Sequence, residues 1–105
     1  MQFLRLSGFF LLLVSCVSTT IPIQEYTIAK SAYEAAVAAE SSKYAPQLFY
    51  KAEKAYKNAE KLYKEKDYSG AQAGFLMSQK LAEKAESAAR LKQFKSGESS
   101  DGSYE

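Results

Sequence analysis

The chain has no histidine, no tryptophan, one cysteine, two prolines and five glycines in 105 residues. Each scarcity removes a class of chemistry. Without histidine, no imidazole is present to activate a serine. With Cys16 alone, neither an intramolecular disulfide nor a nitrogen–sulfur metal cluster can be assembled. The aspartates are Asp67 and Asp101, and the more numerous glutamates sit among lysines at helical spacing, so only a weak carboxylate cation site is left. No phosphate-cradling loop is present, because Gly70-x-x-x-Gly74 lacks the Lys-Ser/Thr that would have to follow it. The expectation is a protein that is not an enzyme and needs no cofactor or metal. A surplus of one charge is missing as well. Fourteen basic residues oppose twelve acidic ones for a net charge of +2, which argues against nucleic acid as a partner.

A long hydrophobic run is also missing. The stretch Leu6–Val14 lies between Arg5 and Cys16, which are separated by ten residues, whereas a bilayer-spanning helix needs about 20. Its length and flanks suit the apolar region of a signal peptide, with Arg5 and the amino terminus as the positive region. At its end, Leu13-Val14-Ser15-Cys16 resembles the lipobox of bacterial lipoproteins. That resemblance implies that a signal peptidase reads Leu13, Val14 and Ser15, removes residues 1–15 and leaves an acylated Cys16 at the new N-terminus. The thiol would be consumed as a thioether. Each buried methylene contributes about 0.8 kcal/mol and one chain binds only marginally, so the several chains such lipoproteins carry would make the anchor effectively permanent. Val17, rather than aspartate, follows the cysteine. In Gram-negative lipoproteins this resembles sorting to the outer membrane, with the chain held on the periplasmic face; the inner membrane and the cell surface are the other options. An ordinary secretory signal cut near Ser18 or Thr19 is the alternative, and would release a secreted or periplasmic helical protein.

What is abundant beyond a tether at residues 16–22 is Ala, Lys, Glu, Leu and Tyr, a helix-forming composition. The fold class expected is all-α, an antiparallel three-helix bundle over residues 23–94 following the cleaved signal helix. The first helix is expected from Ile23 to about Ser41. Tyr26, Ala29, Tyr33, Ala36 and Glu40 form one row, with Ile28, Ala32, Ala35 and Ala39 beside it. Whether this helix packs in the same bundle as the others is left open by the sequence. Ser41–Pro46 is read as a break, and Pro46 as the first residue of a second helix, where its missing N–H costs nothing. That helix should run to about Lys66, with the stripe Leu48, Ala52, Ala55, Ala59 and Leu62 inward. Phe49, Tyr56 and Tyr63 flank the stripe. Glu53–Lys57 and Glu60–Lys64 are expected as i,i+4 pairs on the wet side. Asp67 is the expected cap of a third helix from Tyr68 to about Phe94. Its stripe is Ala71, Phe75, Ser78, Ala82, Ala85 and Ala89, with Leu81 and Ala88 alongside, and a Glu86–Arg90 pair outside. The short turn makes the last two helices antiparallel neighbours. Alanine on both seams, with Gly70 and Gly74, predicts close approach of the helices. Residues 95–105, low in apolar content and aperiodic, read as a disordered tail.

Tyr44-Ala45-Pro46, then Ala52, Ala55, Ala59, Leu62 and Asp67-Tyr68-x-x-Ala71, resemble a helical domain of unknown function found in bacterial lipoproteins, often upstream of an OmpA-like peptidoglycan-binding domain. The resemblance covers about residues 24–93. It implies an envelope lipoprotein and no assigned active site. The chain ends at Glu105 without an OmpA-like part, so cell-wall binding is not implied. Asp67-Tyr68, Ala71 and Phe75 also resemble the second half of a tetratricopeptide repeat, but Asn58-Ala59 and Ser78 depart from that pattern. The likeness is to a single helical hairpin formed by the last two helices, since an array needs about three repeats.

The partners expected are the membrane, through acyl chains on Cys16, and an envelope protein or a second copy of the chain. An alanine-rich interior of about 70 residues buries little apolar area alone. From the aromatic set Tyr33, Tyr44, Phe49, Tyr50, Tyr56 and Tyr63, the residues singled out for partner binding are Tyr50, Tyr56 and Tyr63. Peptidoglycan is the alternative ligand, because Lys51, Lys54, Lys57, Lys61 and Lys64 alternate with these tyrosines. The bland reading of both patterns is bundle filling beside a solvated Lys/Glu face.

Overall fold

The computed structural model describes the backbone of residues 20–100 and the side chains of residues 20–97. Among the described residues four helices follow in order: α1 (Ile23–Ala38), α2 (Ser41–Tyr44), α3 (Pro46–Lys64) and α4 (Tyr68–Ser100). Three long helices form the expected all-α bundle, with α2 as a single turn inside the segment read as a break. Contacts fix the directions. Ala59 and Ala52 of α3 meet Gly74 and Ser78 of α4, so these helices are antiparallel. Glu25 meets Gln72 and Ala39 meets Gln93, so α1 runs parallel to α4 and packs mainly along it. The first helix therefore belongs to the same bundle.

Local chemistry accounts for the boundaries. Helix α1 stops at Ala38, short of the expected end, because Glu40 turns into the left-handed region with φ 57°. Pro46 opens α3 as expected. Lys66, with φ 65°, closes it: the Lys66 N–H bonds the Tyr63 carbonyl and the Asp67 N–H bonds the Leu62 carbonyl. That paired pattern satisfies two of the carbonyls orphaned at a helix end. Asp67 then caps α4, its carboxylate accepting the Gly70 N–H at 3.1 Å. Gly70 thus serves the cap rather than a close helix crossing, since a Cβ there would stand 2.8 Å from the Asp67 carboxylate. Helix α4 continues through Ser100, past its expected end at Phe94 and into residues assigned to a disordered tail. No proline interrupts Lys95–Ser100, and extending an existing helix adds a bond per residue without a new nucleus. Residues 101–105 lie outside the described residues.

The core is thin and alanine-lined. Ala71, Phe75, Ser78, Ala82, Ala85 and Ala89 of α4 are all fully buried, as the periodicity predicts. On α3 the buried face is Phe49, Ala52, Tyr56 and Ala59, rotated toward α1 from the predicted stripe. Leu48, Ala55 and Leu62 are only half-buried. Aromatic rings supply the bulk that alanine lacks. The Tyr26 ring meets Phe75 edge-on at 4.7 Å, and Tyr33 stacks on Tyr56 at 5.1 Å.

Candidate functional site

Leu13, Val14, Ser15 and Cys16 lie outside the described residues. What is described is the start of the bundle just beyond them, where Ile21 and Ile23 are exposed beside a buried Pro22. Among the described residues no helix is long and apolar enough to cross a membrane, and no group of three or more His, Cys, Asp or Glu side chains could hold a metal ion.

The three tyrosines singled out on α3 do not share a surface. Tyr50 is 60% exposed and touches Phe49 edge-on. Tyr56 is a core residue at 9% exposure. Tyr63 is half-buried among Tyr26, Tyr68 and Phe75. The Lys/Tyr alternation along α3 therefore presents lysines and one open ring rather than an aromatic platform. The helical period brings Tyr56 and Tyr63 round to the side where α1 packs.

Two glutamates placed on the wet side instead tie the helices together. Glu60 accepts the Tyr26 hydroxyl at 2.9 Å, and Glu53 accepts the Tyr33 hydroxyl at 3.0 Å. Glu53 also keeps its expected partner, Lys57, at 3.5 Å. Arg90 meets Glu86 at 3.0 Å as predicted. These environments hold the phenols protonated. The hydrogen bond to Glu60 raises the pKa of Tyr26 first, with burial adding to it. Burial first, then Glu53, raises that of Tyr33. Tyr56 is raised furthest, by burial and then by the Tyr26 hydroxyl. Neutral, hydrogen-bonded phenols at helix seams hold geometry together; they are not poised for proton transfer near neutral pH.

Three open grooves mark the surface of the described residues. A cleft of about 200 Å³ beside Ile23, Tyr26, Glu60, Tyr63 and Lys64 falls below the several hundred Å³ usual for a small-molecule site. A larger groove of about 470 Å³ opens where the start of α3 meets the later turns of α4, lined by Tyr44, Pro46, Leu48, Ala88, Leu91 and Lys95 among others. A second groove, of about 460 Å³, continues from Leu48 past Lys80, Glu83, Lys84 and Ser87. The sequence reading passed over this surface. Its signal was present as a second 4-3-4-3-4 row on α4, Met77, Leu81, Lys84, Ala88, Leu91 and Lys95, masked by the stronger core stripe.

A family model described as a domain of unknown function (DUF4398) matches residues 24–96. The chain belongs to the DUF4398 family. The match spans α1 to the later turns of α4, so the DUF4398 unit here is the bundle itself. No curated protein and no solved structure matches the chain.

Proposed function

We propose that this DUF4398 chain is a membrane-anchored bacterial lipoprotein, in which a small non-catalytic helical module serves a structural or interaction role in the cell envelope. The observation that carries the reading is Leu13-Val14-Ser15-Cys16 at the end of the short apolar run, with the only cysteine at the acylation position. The spacing of the bundle supports it. Helix α1 starts at Ile23, so six residues separate Cys16 from the start of the bundle. A bundle on so short a tether would stay close to the lipid surface. Parallel packing of α1 and α4 would then point the C-terminal half of α4, with its groove, away from the bilayer. The outer membrane, periplasmic face, is the location that Val17 favours.

Intact mass and membrane fractionation of the expressed protein, wild type against Cys16→Ser, test the reading. The expected result is a mature N-terminus at Cys16 carrying acyl mass, with membrane association lost in the variant. An unmodified chain in the soluble fraction would refute it and leave a secreted or periplasmic helical protein.

A further inference from the structure

The face of the α3/α4 hairpin turned away from α1 has no partner within the described residues. Helix α1 covers the side of the hairpin that carries Phe49, Tyr56 and Phe75. No residue of α1 lines either groove on the other side. Lys84, Ala88, Leu91 and Lys95 of the second row of α4 line that side. Leu81 and Ala88 are half-buried, while Met77 is 60% and Leu91 55% exposed. Between Lys80 and Lys95 the grooves extend about 23 Å at 1.5 Å per residue, the length of an incoming helix of about four turns. The small side chain of Ala88 leaves room for such a helix to sit close.

Charge selects the occupant. Of the ionic side chains lining the two grooves, Lys80, Lys84, Lys92 and Lys95 are cationic and Glu83 alone is anionic. A second copy offering the same face would bring lysines against lysines, and like charges brought together at an interface are costly. We propose that this face docks an acidic amphipathic helix from another protein. Its apolar stripe would lie in the trough of Leu48, Ala88 and Leu91, and its carboxylates would meet Lys84, Lys92 and Lys95. This is the helix-in-groove mode, with apolar anchors for affinity and rim charges for choice of partner. The inference does not depend on lipidation of Cys16.

The test uses the chain as purified, in zwitterionic nanodiscs if acylated and in buffer if not. The probe is a fluorescent synthetic helix of about 16 residues with a leucine stripe edged by glutamates, compared with a twin in which lysines replace the glutamates. Anisotropy should show the acidic helix binding at least tenfold more tightly than its twin. Leu91→Glu and the double change Lys84→Glu/Lys92→Glu should each weaken that binding at least tenfold. All three positions are exposed, so the helical circular dichroism should be unchanged and folding separable from binding. Equal binding of the twins, or binding indifferent to both variants, would overturn the proposal. So would a concentration-dependent dimer in sedimentation that Leu91→Glu abolishes, because the occupant would then be a second copy.

Discussion

Gly74→Ala isolates the backbone approach that the alanine seams make available. A Cβ built on Gly74 would stand 2.9 Å from the Cβ of Ala59 and 3.3 Å from its Cα, inside the 3.5–4.0 Å at which carbon atoms attract. The obstruction is partly backbone, so no rotamer change relieves it, and α3 and α4 must separate. Two gains oppose that cost. Alanine is favoured over glycine in a helix interior by about 1 kcal/mol, and burying a methyl contributes about 0.8 kcal/mol. Overpacking costs about 1–3 kcal/mol, and separation would also loosen Ala52, Ala71, Phe75 and Ser78 along the same seam, so overpacking should win. With overpacking at the upper end of that range, the expected net loss is about 1 kcal/mol, a fall in Tm of roughly 4–8 °C for a domain of this size. The assay is urea and thermal unfolding followed by helical circular dichroism. Gly97→Ala, where the new Cβ meets no atom of another described helix within 4 Å, supplies mainly the propensity gain and should be neutral or slightly stabilising. Ala59→Gly added to Gly74→Ala should recover stability, with a coupling of about 1 kcal/mol or more between the two sites. A Gly74→Ala protein as stable as wild type, or additive effects in the double variant, would refute the close crossing.

Lys66 holds a left-handed conformation that disfavours a side chain, so Lys66→Gly should raise stability by about 0.5–1 kcal/mol in urea unfolding. Ser41 is fully buried and its hydroxyl has no hydrogen-bond partner among the described residues; Ser41→Ala should stabilise by up to about 1 kcal/mol, and a loss would show that the hydroxyl is satisfied. Phe75 is the largest fully buried side chain, and Phe75→Ala should cost about 3–5 kcal/mol, enough to abolish the cooperative thermal transition of so small a core. Tyr26, Tyr33 and Tyr56 have folded pKa values raised above the ordinary 10.0. Their contribution is therefore complete below about pH 10 and is lost as the pH rises through their folded values. In NMR of ring-labelled tyrosine, the Tyr26, Tyr33 and Tyr56 signals should titrate only together with the loss of helical circular dichroism in alkali, and ionisation of these phenols in a fully helical protein would contradict the assignment.

Much of the fold was legible because single-helix features are local. Pro46 can begin a helix but not continue one, Asp67 can cap the next, and the six-residue stripe of α4 has no second register that buries as much. The miss at the end of α4 has a local cause too: Lys95–Ser100 lacks apolar periodicity, yet nothing in it terminates a helix already formed. The candidate site was read less well. Tyr56 and Tyr63 looked like an edge beside the Leu48–Leu62 stripe, and Glu53 and Glu60 looked like the wet side. In the bundle the tyrosines face α1, and the glutamates accept its tyrosine hydroxyls.

The sequence by itself determined the helical class, the places where the chain turns and the inward face of α4. These follow from backbone propensity, capping chemistry and periodicity, each contained within a few neighbouring residues. Only the tertiary structure decided that α1 joins the hairpin from one side, which face of α3 it covers, that Gly74 marks a crossing while Gly70 serves a cap, and that Met77 and Leu91 stay exposed. Periodicity states which residues of a helix share a face; the angle from which its neighbour arrives depends on how residues far apart in the chain pack together.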